Sequence, residues 1–133
     1  MHPLFETADR RSFEIIGAAI EVHRIKGPGL IESIYEKCMM RECFLRSIPV
    51  QRQVPVHIDY KGYVFDDNLW LDILVDDALI LELKSVETVL PIHKAQLLSY
   101  MKLLNKPLGL LINFHETVLK NGIHRMILPG ANQ

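Results

Sequence analysis

Three charged residues stand inside the most apolar part of this 133-residue chain. Residues 69–84 read Leu-Trp-Leu-Asp-Ile-Leu-Val-Asp-Asp-Ala-Leu-Ile-Leu-Glu-Leu-Lys, two apolar runs separated by Asp76-Asp77. Asp72 interrupts the first run; Glu82 and Lys84 interrupt the second. Runs this apolar read as strands buried on both faces. A charge in such a strand is expensive unless it is paired or bound to a metal. Two neighbouring carboxylates repel, and a dry site keeps one of them protonated. A hard divalent cation removes the conflict, and oxygen-only ligands suit Mg²⁺ or Mn²⁺ rather than zinc. A lysine two residues from one acid, on the same face, can point at a water or a phosphate oxygen. That combination suits metal-assisted hydrolysis of a phosphodiester. The plainer reading is an ion pair of Lys84 with Asp72 or Glu82 and no metal.

The two readings make different demands on register. Side chains alternate along a strand, so Glu82 and Lys84 share a face, and Asp72 shares one with Trp70 and Leu74. A two-residue turn at Asp76-Asp77 pairs Asp72 with Leu81 and sends Glu82 to the opposite face. A three-residue loop, Asp76-Asp77-Ala78, or a bulge sets Asp72 opposite Glu82. One shared acidic site therefore requires an odd connection.

The elements that must position these residues follow from pattern. Residues 1–11 read as a frayed start. Phe13, Ile16, Ile20 and His23 recur at helical spacing from Ser12 to Ile25, and Gly27-Pro28-Gly29 stops that helix. A second helix is predicted from Leu30 to Arg46, with Ile31, Ile34, Tyr35, Cys38 and Leu45 on its inner side. Strands are predicted over Val54–Tyr60, from Tyr63 onward, over Leu69–Val75 and over Leu79–Ser85, with Lys61-Gly62 as a hairpin turn. Asp66-Asp67-Asn68 reads as a bulge or short loop. Pro91 suits the first turn of a third helix that ends near Asn105. Leu108–Phe114 and Ile123–Leu128 complete the strands, and the tail reads as loose. The order α-α-β-β-β-α-β-β, with a helix crossing between two parallel strands, predicts an α/β fold whose mixed sheet is flanked by helices.

Composition bounds the rest. The length suits one domain over residues 1–133 with a real core. No apolar run reaches membrane-spanning length, and Met-His-Pro-Leu-Phe-Glu lacks a signal-peptide pattern, so a cytoplasmic location and no membrane partner are expected. The formal net charge of −1 gives no global attraction to nucleic acid. The basic residues outside the core are scattered. Cys38 and Cys43 are five apart on one predicted helix and read as reduced packing residues. Alone, Glu32 is a carboxylate near a helix N-terminus, where the dipole favours it.

Asp72 followed by Glu82-Leu83-Lys84 on the next strand resembles the PD-(D/E)xK nuclease core. Gln96-Leu-Leu-Ser-Tyr100 resembles the QxxxY element of its RecB-like and Cas4-like branch. Gly29-Leu-Ile-Glu32-Ser-Ile-Tyr35 matches the signature of the GxxExxY family, and the likeness spans residues 12–128. The resemblance implies a restriction-endonuclease-like core and a Mg²⁺- or Mn²⁺-dependent nuclease acting on DNA or RNA. It implies that Asp72 and Glu82 ligate the metal, with the Leu83 carbonyl as a third ligand. Lys84 is then the catalytic lysine, and Glu32 the acid that many members supply from a helix before the sheet. Gln96 and Tyr100 contact substrate phosphate or brace the lysine. His23, Lys94 and Asn113 are lesser candidates for the site. Leu71 departs from the Pro or small residue that often precedes the acid. Analogy with small nucleases that cut two strands adds a homodimer. The alternative is a nuclease-fold module without catalysis that binds a protein partner or assembles with itself; retention of Asp72, Glu82 and Lys84 argues against it.

Overall fold

The structure, a computed structural model, describes residues 1–65 and 69–133; the interruption expected at Asp66-Asp67-Asn68 lies outside them. The elements are α1 (Phe5–Lys26), α2 (Glu32–Leu45), β1 (Val50–Tyr60), β2 (Tyr63–Val75), β3 (Leu79–Lys84), α3 (Pro91–Leu104), β4 (Leu108–Asn113) and β5 (Ile123–Ile127), with a short 3-10 turn at Leu119–Gly122. The five strands form one mixed sheet in the order β1-β2-β3-β4-β5. Only β3 and β4 run parallel, joined by α3; the remaining pairs are antiparallel. The α/β architecture and element order expected from pattern are those observed, and they match a restriction-endonuclease-like fold. No helix among the described residues is long and apolar enough to cross a membrane.

Residues of β3 and β4 are buried along almost their whole length, as their continuous apolar runs require. Leu79, Leu81 and Leu83 pack under α1 and α2, while Ile80 and Leu111 pack under α3. A Cβ built on Gly109 of β4 would lie 2.8 Å from the Met101 sulfur and 2.9 Å from Leu97 Cδ1. Absence of a side chain there lets α3 lie close to the sheet, and this fixes the height of Tyr100 above it.

The helices face the sheet with different residues from those expected. α1 buries Ala8, Ser12, Ile15, Ala18, Ala19 and Val22, whereas Phe13 is 67% exposed and Ile20 51%. α2 buries Tyr35, Met39 and Cys43 and leaves Ile31 and Leu45 outside. Small residues on α1 allow close helix–sheet approach. A periodicity weighted toward large hydrophobes selects the neighbouring stripe instead. Both ends of the chain are tied down. α1 begins at Phe5 rather than near Ser12, and the His2 N–H donates to the Ala131 carbonyl at 2.8 Å. Ala131 is buried, so the tail is docked rather than loose.

Candidate active site

The acidic turn decides the site. Asp76 and Asp77 adopt left-handed backbone at φ 50° and 53°, and the Ala78 N–H donates to the Val75 carbonyl at 2.9 Å. Asp and Asn tolerate this region better than other side chains do. Val75 nevertheless pairs with Leu79, so Ala78 is an extra residue in the connection. The three-residue spacing is the odd one that a shared site requires. Ile73 pairs with Leu81, and continuing that register sets Asp72 across from Glu82.

The paired stretch ends there, and the two acids take over where β2 and β3 part. The Asp72 N–H donates to Glu82 Oε1 at 3.1 Å, and the Leu83 N–H donates to Asp72 Oδ2 at 2.8 Å. The two carboxylates are thus held by backbone N–H groups on opposite strands. Along β3 the Lys84 carbonyl turns toward β4, accepting from the Phe114 N–H at 2.9 Å. Leu83, one residue earlier, has its N–H toward Asp72. In a strand, a residue's N–H and C=O point to the same side, so the Leu83 carbonyl faces the fork too.

Electrostatics at the fork are strained. Glu82 is 7% exposed and Asp72 half-buried. Burial, and then repulsion from Asp72, push the Glu82 carboxyl up from 4.5 to about 8, against the pull of the Asp72 N–H and the Lys84 ammonium. Burial also raises Asp72; the Leu83 N–H opposes it, and the Glu36 charge adds to the rise. Lys84 is half-buried beside them, yet among the described residues no hydrogen bond or ion pair joins it to either acid. The buried ion pair of the plainer reading is therefore not formed. From α3, Tyr100 is 6% exposed, and its hydroxyl is pushed up by burial and by the Glu82 charge. Gln96, itself exposed, donates to the Tyr100 oxygen at 3.1 Å, so the phenol keeps its proton to offer elsewhere. Gln96 thus braces Tyr100, not Lys84.

The Gly29-x-x-Glu32-x-x-Tyr35 segment holds the other side of the fork. Gly29 sits at φ 101°, a turn conformation that disfavours a side chain. The Tyr35 hydroxyl donates to the Gly27 carbonyl at 2.5 Å and accepts from the Leu30 N–H at 3.2 Å, clipping the loop to the helix. The Tyr35 ring stacks on Phe114 at 4.4 Å, just past the end of β4. With α2 so anchored, Glu32 Oε1 accepts from the Ser85 N–H at 3.3 Å, and the Ser85 hydroxyl donates to the Leu30 carbonyl at 2.5 Å. The strand end that carries Lys84 is thereby tied to α2.

The family model for the PD-(D/E)XK nuclease superfamily matches residues 9–126. The chain belongs to the PD-(D/E)XK nuclease superfamily. Searches of curated proteins and of solved structures return no match. Membership points to nuclease-type function, and PD-(D/E)XK nucleases are generally divalent-metal dependent. The fork fits such an ion on its own chemistry. Two carboxylates whose charged forms are disfavoured by burial and mutual repulsion are relieved by a hard cation, and the Leu83 carbonyl lies on the same side. Among the described residues no group of three His, Cys, Asp or Glu side chains gathers as a metal cluster. Glu32 accepts from the Ser85 N–H, and its charge also acts on Asp72, raising that carboxyl along with Glu36.

Other candidates fall elsewhere in this PD-(D/E)XK chain. His23 bonds the Glu116 carbonyl through Nε2 at 2.7 Å. Burial lowers the His124 imidazole, and the charge of nearby Lys94 adds to the fall. Asn113 is fully buried and bridges to Val86, accepting its N–H at 3.1 Å and donating to its carbonyl at 2.8 Å; it holds the loop that leaves β3. Cys38 and Cys43 are free, as expected, and burial raises the Cys43 thiol to about 11. Glu36 escaped the sequence reading. It is 6% exposed, and its charge acts on Asp72. The available signal was its place one helical turn after Glu32, which puts both acids on one side of α2.

Proposed function

We propose that this chain is a metal-dependent nuclease hydrolysing phosphodiester bonds in DNA or RNA, of the GxxExxY kind within the RecB-like and Cas4-like branch. The observation that carries the reading is the meeting of Asp72 and Glu82 across the parted strands, with Lys84 beside them and bonded to neither. Asp72, Glu82 and the Leu83 carbonyl would hold the ion, Mg²⁺ or Mn²⁺ by their oxygen-only chemistry. When bound, the ion supplies Lewis-acid stabilisation of charge on the phosphoryl group. Lys84 places its ammonium where the attacking water and a non-bridging phosphate oxygen meet, and there offsets developing negative charge. Tyr100, protonated and steadied by Gln96, donates a hydrogen bond to substrate phosphate. Glu32 keeps the exit of β3 in place and can hold a water at the edge of the site.

The test is cleavage of end-labelled single-stranded DNA, duplex DNA and RNA with Mg²⁺ or Mn²⁺, beside Asp72→Asn and Lys84→Met. Asp72→Asn should abolish both Mn²⁺ binding and cleavage. Lys84→Met should retain Mn²⁺ and lose cleavage by at least about 100-fold, the scale of one lost charge-stabilising group. Mn²⁺ bound at the fork with every substrate intact would overturn the hydrolytic reading.

A further inference from the structure

Gln53 has left-handed backbone, φ 53°, in the middle of β1. The other described non-glycine residues with positive φ lie in turns or at helix ends: Ser47, Lys61, Asp76, Asp77 and Asn105. Such a backbone within a strand is disfavoured and persists only where its surroundings hold it. Arg52 pairs with Ile73 and Val54 with Leu71, so Gln53 stands directly across from Asp72.

Both strands change facing at this point. On β1, Val50 packs toward α1 and α2, whereas Val54 and Val56 pack under α3. On β2, Ile73 and Val75 pack toward α1 and α2, whereas Leu71 packs under α3. Residues two apart ordinarily share a face. The switch at Gln53 and Asp72 therefore requires a sharp local twist, and the left-handed residue supplies it. The same twist carries β2 away from β3 and opens the fork.

Something outside the sheet must hold the twist, and α2 does. Glu36 Oε1 accepts from Arg52 Nε at 2.7 Å and from Gln53 Nε2 at 2.7 Å. One turn earlier Glu32 holds Ser85 at the far side of the fork. Two acids on one helix thus grip the two flanks of the opening. We propose that Glu36 is a positioning residue: by bonding Arg52 and Gln53 it holds the left-handed twist of β1 opposite Asp72, and so sets the separation at which Asp72 and Glu82 present their carboxylates to a metal ion. The metal part of this inference rests on the reading above; the structural part does not.

The experiment separates them. Backbone chemical shifts and the amide–Hα coupling of Gln53, recorded on the full chain without metal, report its φ. In Glu36→Ala they should move from left-handed toward extended values; unchanged values would overturn the tie. Mn²⁺ titration of the same proteins follows. Glu36→Ala should weaken binding about 10-fold or more, the usual scale for groups that orient ligands, and Glu36→Gln should recover part of it. Gln53→Val, a β-branched residue that disfavours φ > 0 and lacks the amide that bonds Glu36, should weaken binding as Glu36→Ala does. A merely structural role would lower melting temperature in these variants and leave Mn²⁺ affinity unmoved; that result overturns the proposal. If wild type and Asp72→Asn both ignore Mn²⁺, the metal reading falls and takes the positioning role with it, while the shift of Gln53 still decides whether Glu36 holds the twist.

Discussion

Glu82 concentrates the energetic conflict of the site in one side chain. Its carboxyl titrates near 4.5 when the chain is unfolded and about 8 when folded, so the folded state binds that proton more tightly. The resulting stabilisation is fully present below pH 4.5 and is lost as pH rises through about 8. Asp72 is raised too and works in the same direction. Glu82→Gln removes the titration and keeps the shape. In chelator, the melting temperature of Glu82→Gln minus that of wild type should therefore be larger at pH 8.5 than at pH 5. Thermal unfolding by circular dichroism at the two values measures it, and a difference independent of pH would refute the conflict. The acids and the lysine were legible in sequence because a charge in an apolar run is rare and costly. Glu36 was not legible, because an acid on an amphipathic helix is ordinary until its partners are known.

At the scale of elements, the site depends on two connections. The acidic turn between β2 and β3 carries an extra residue, and this alone puts Asp72 across from Glu82. The alternatives were visible in sequence; the choice between them was not, since a two-residue and a three-residue connection differ only in how the backbone closes. The glycine loop before α2 is held by Tyr35, whose hydroxyl bonds Gly27 and Leu30 while its ring stacks on Phe114. Tyr35→Phe keeps the stack and leaves the Gly27 carbonyl and Leu30 N–H without that partner. It should cost about 1–2 kcal/mol of stability in urea unfolding. It should also speed amide exchange at Leu30 and Ser85, because Glu32 and Leu30 hold Ser85 from the same loop. Exchange at Ser85 equal to wild type would show that loop and strand end are not coupled.

Across the whole molecule, the site lies where the central strands part, gripped by α2 on one side and overlooked by Tyr100 of α3 on the other. If Asp72 and Glu82 hold the proposed ion, it would join β2 to β3 in the middle of the sheet, and its binding should register as global stability. Mn²⁺ at about 100 times its Kd should add roughly 2.7 kcal/mol. The corresponding rise in melting temperature should shrink from pH 8 to pH 5 as protons compete, and vanish in Asp72→Asn. Differential scanning fluorimetry across a Mn²⁺ series checks this; an equal rise in Asp72→Asn would place the ion elsewhere.

The order of elements along the chain, the parallel pairing across the third helix and the candidate acids were legible in the sequence itself, because burial on both faces demands unbroken apolar runs and makes Asp72, Glu82 and Lys84 conspicuous. Which stripe of α1 and α2 meets the sheet was not, because alanine and serine pack closely without announcing it. Tertiary structure decided the odd turn, the left-handed twist at Gln53 and the grip of Glu36. Each of these is a relation between strands or between helix and strand, and it acquires an energy only when residues distant in the chain come within bonding distance.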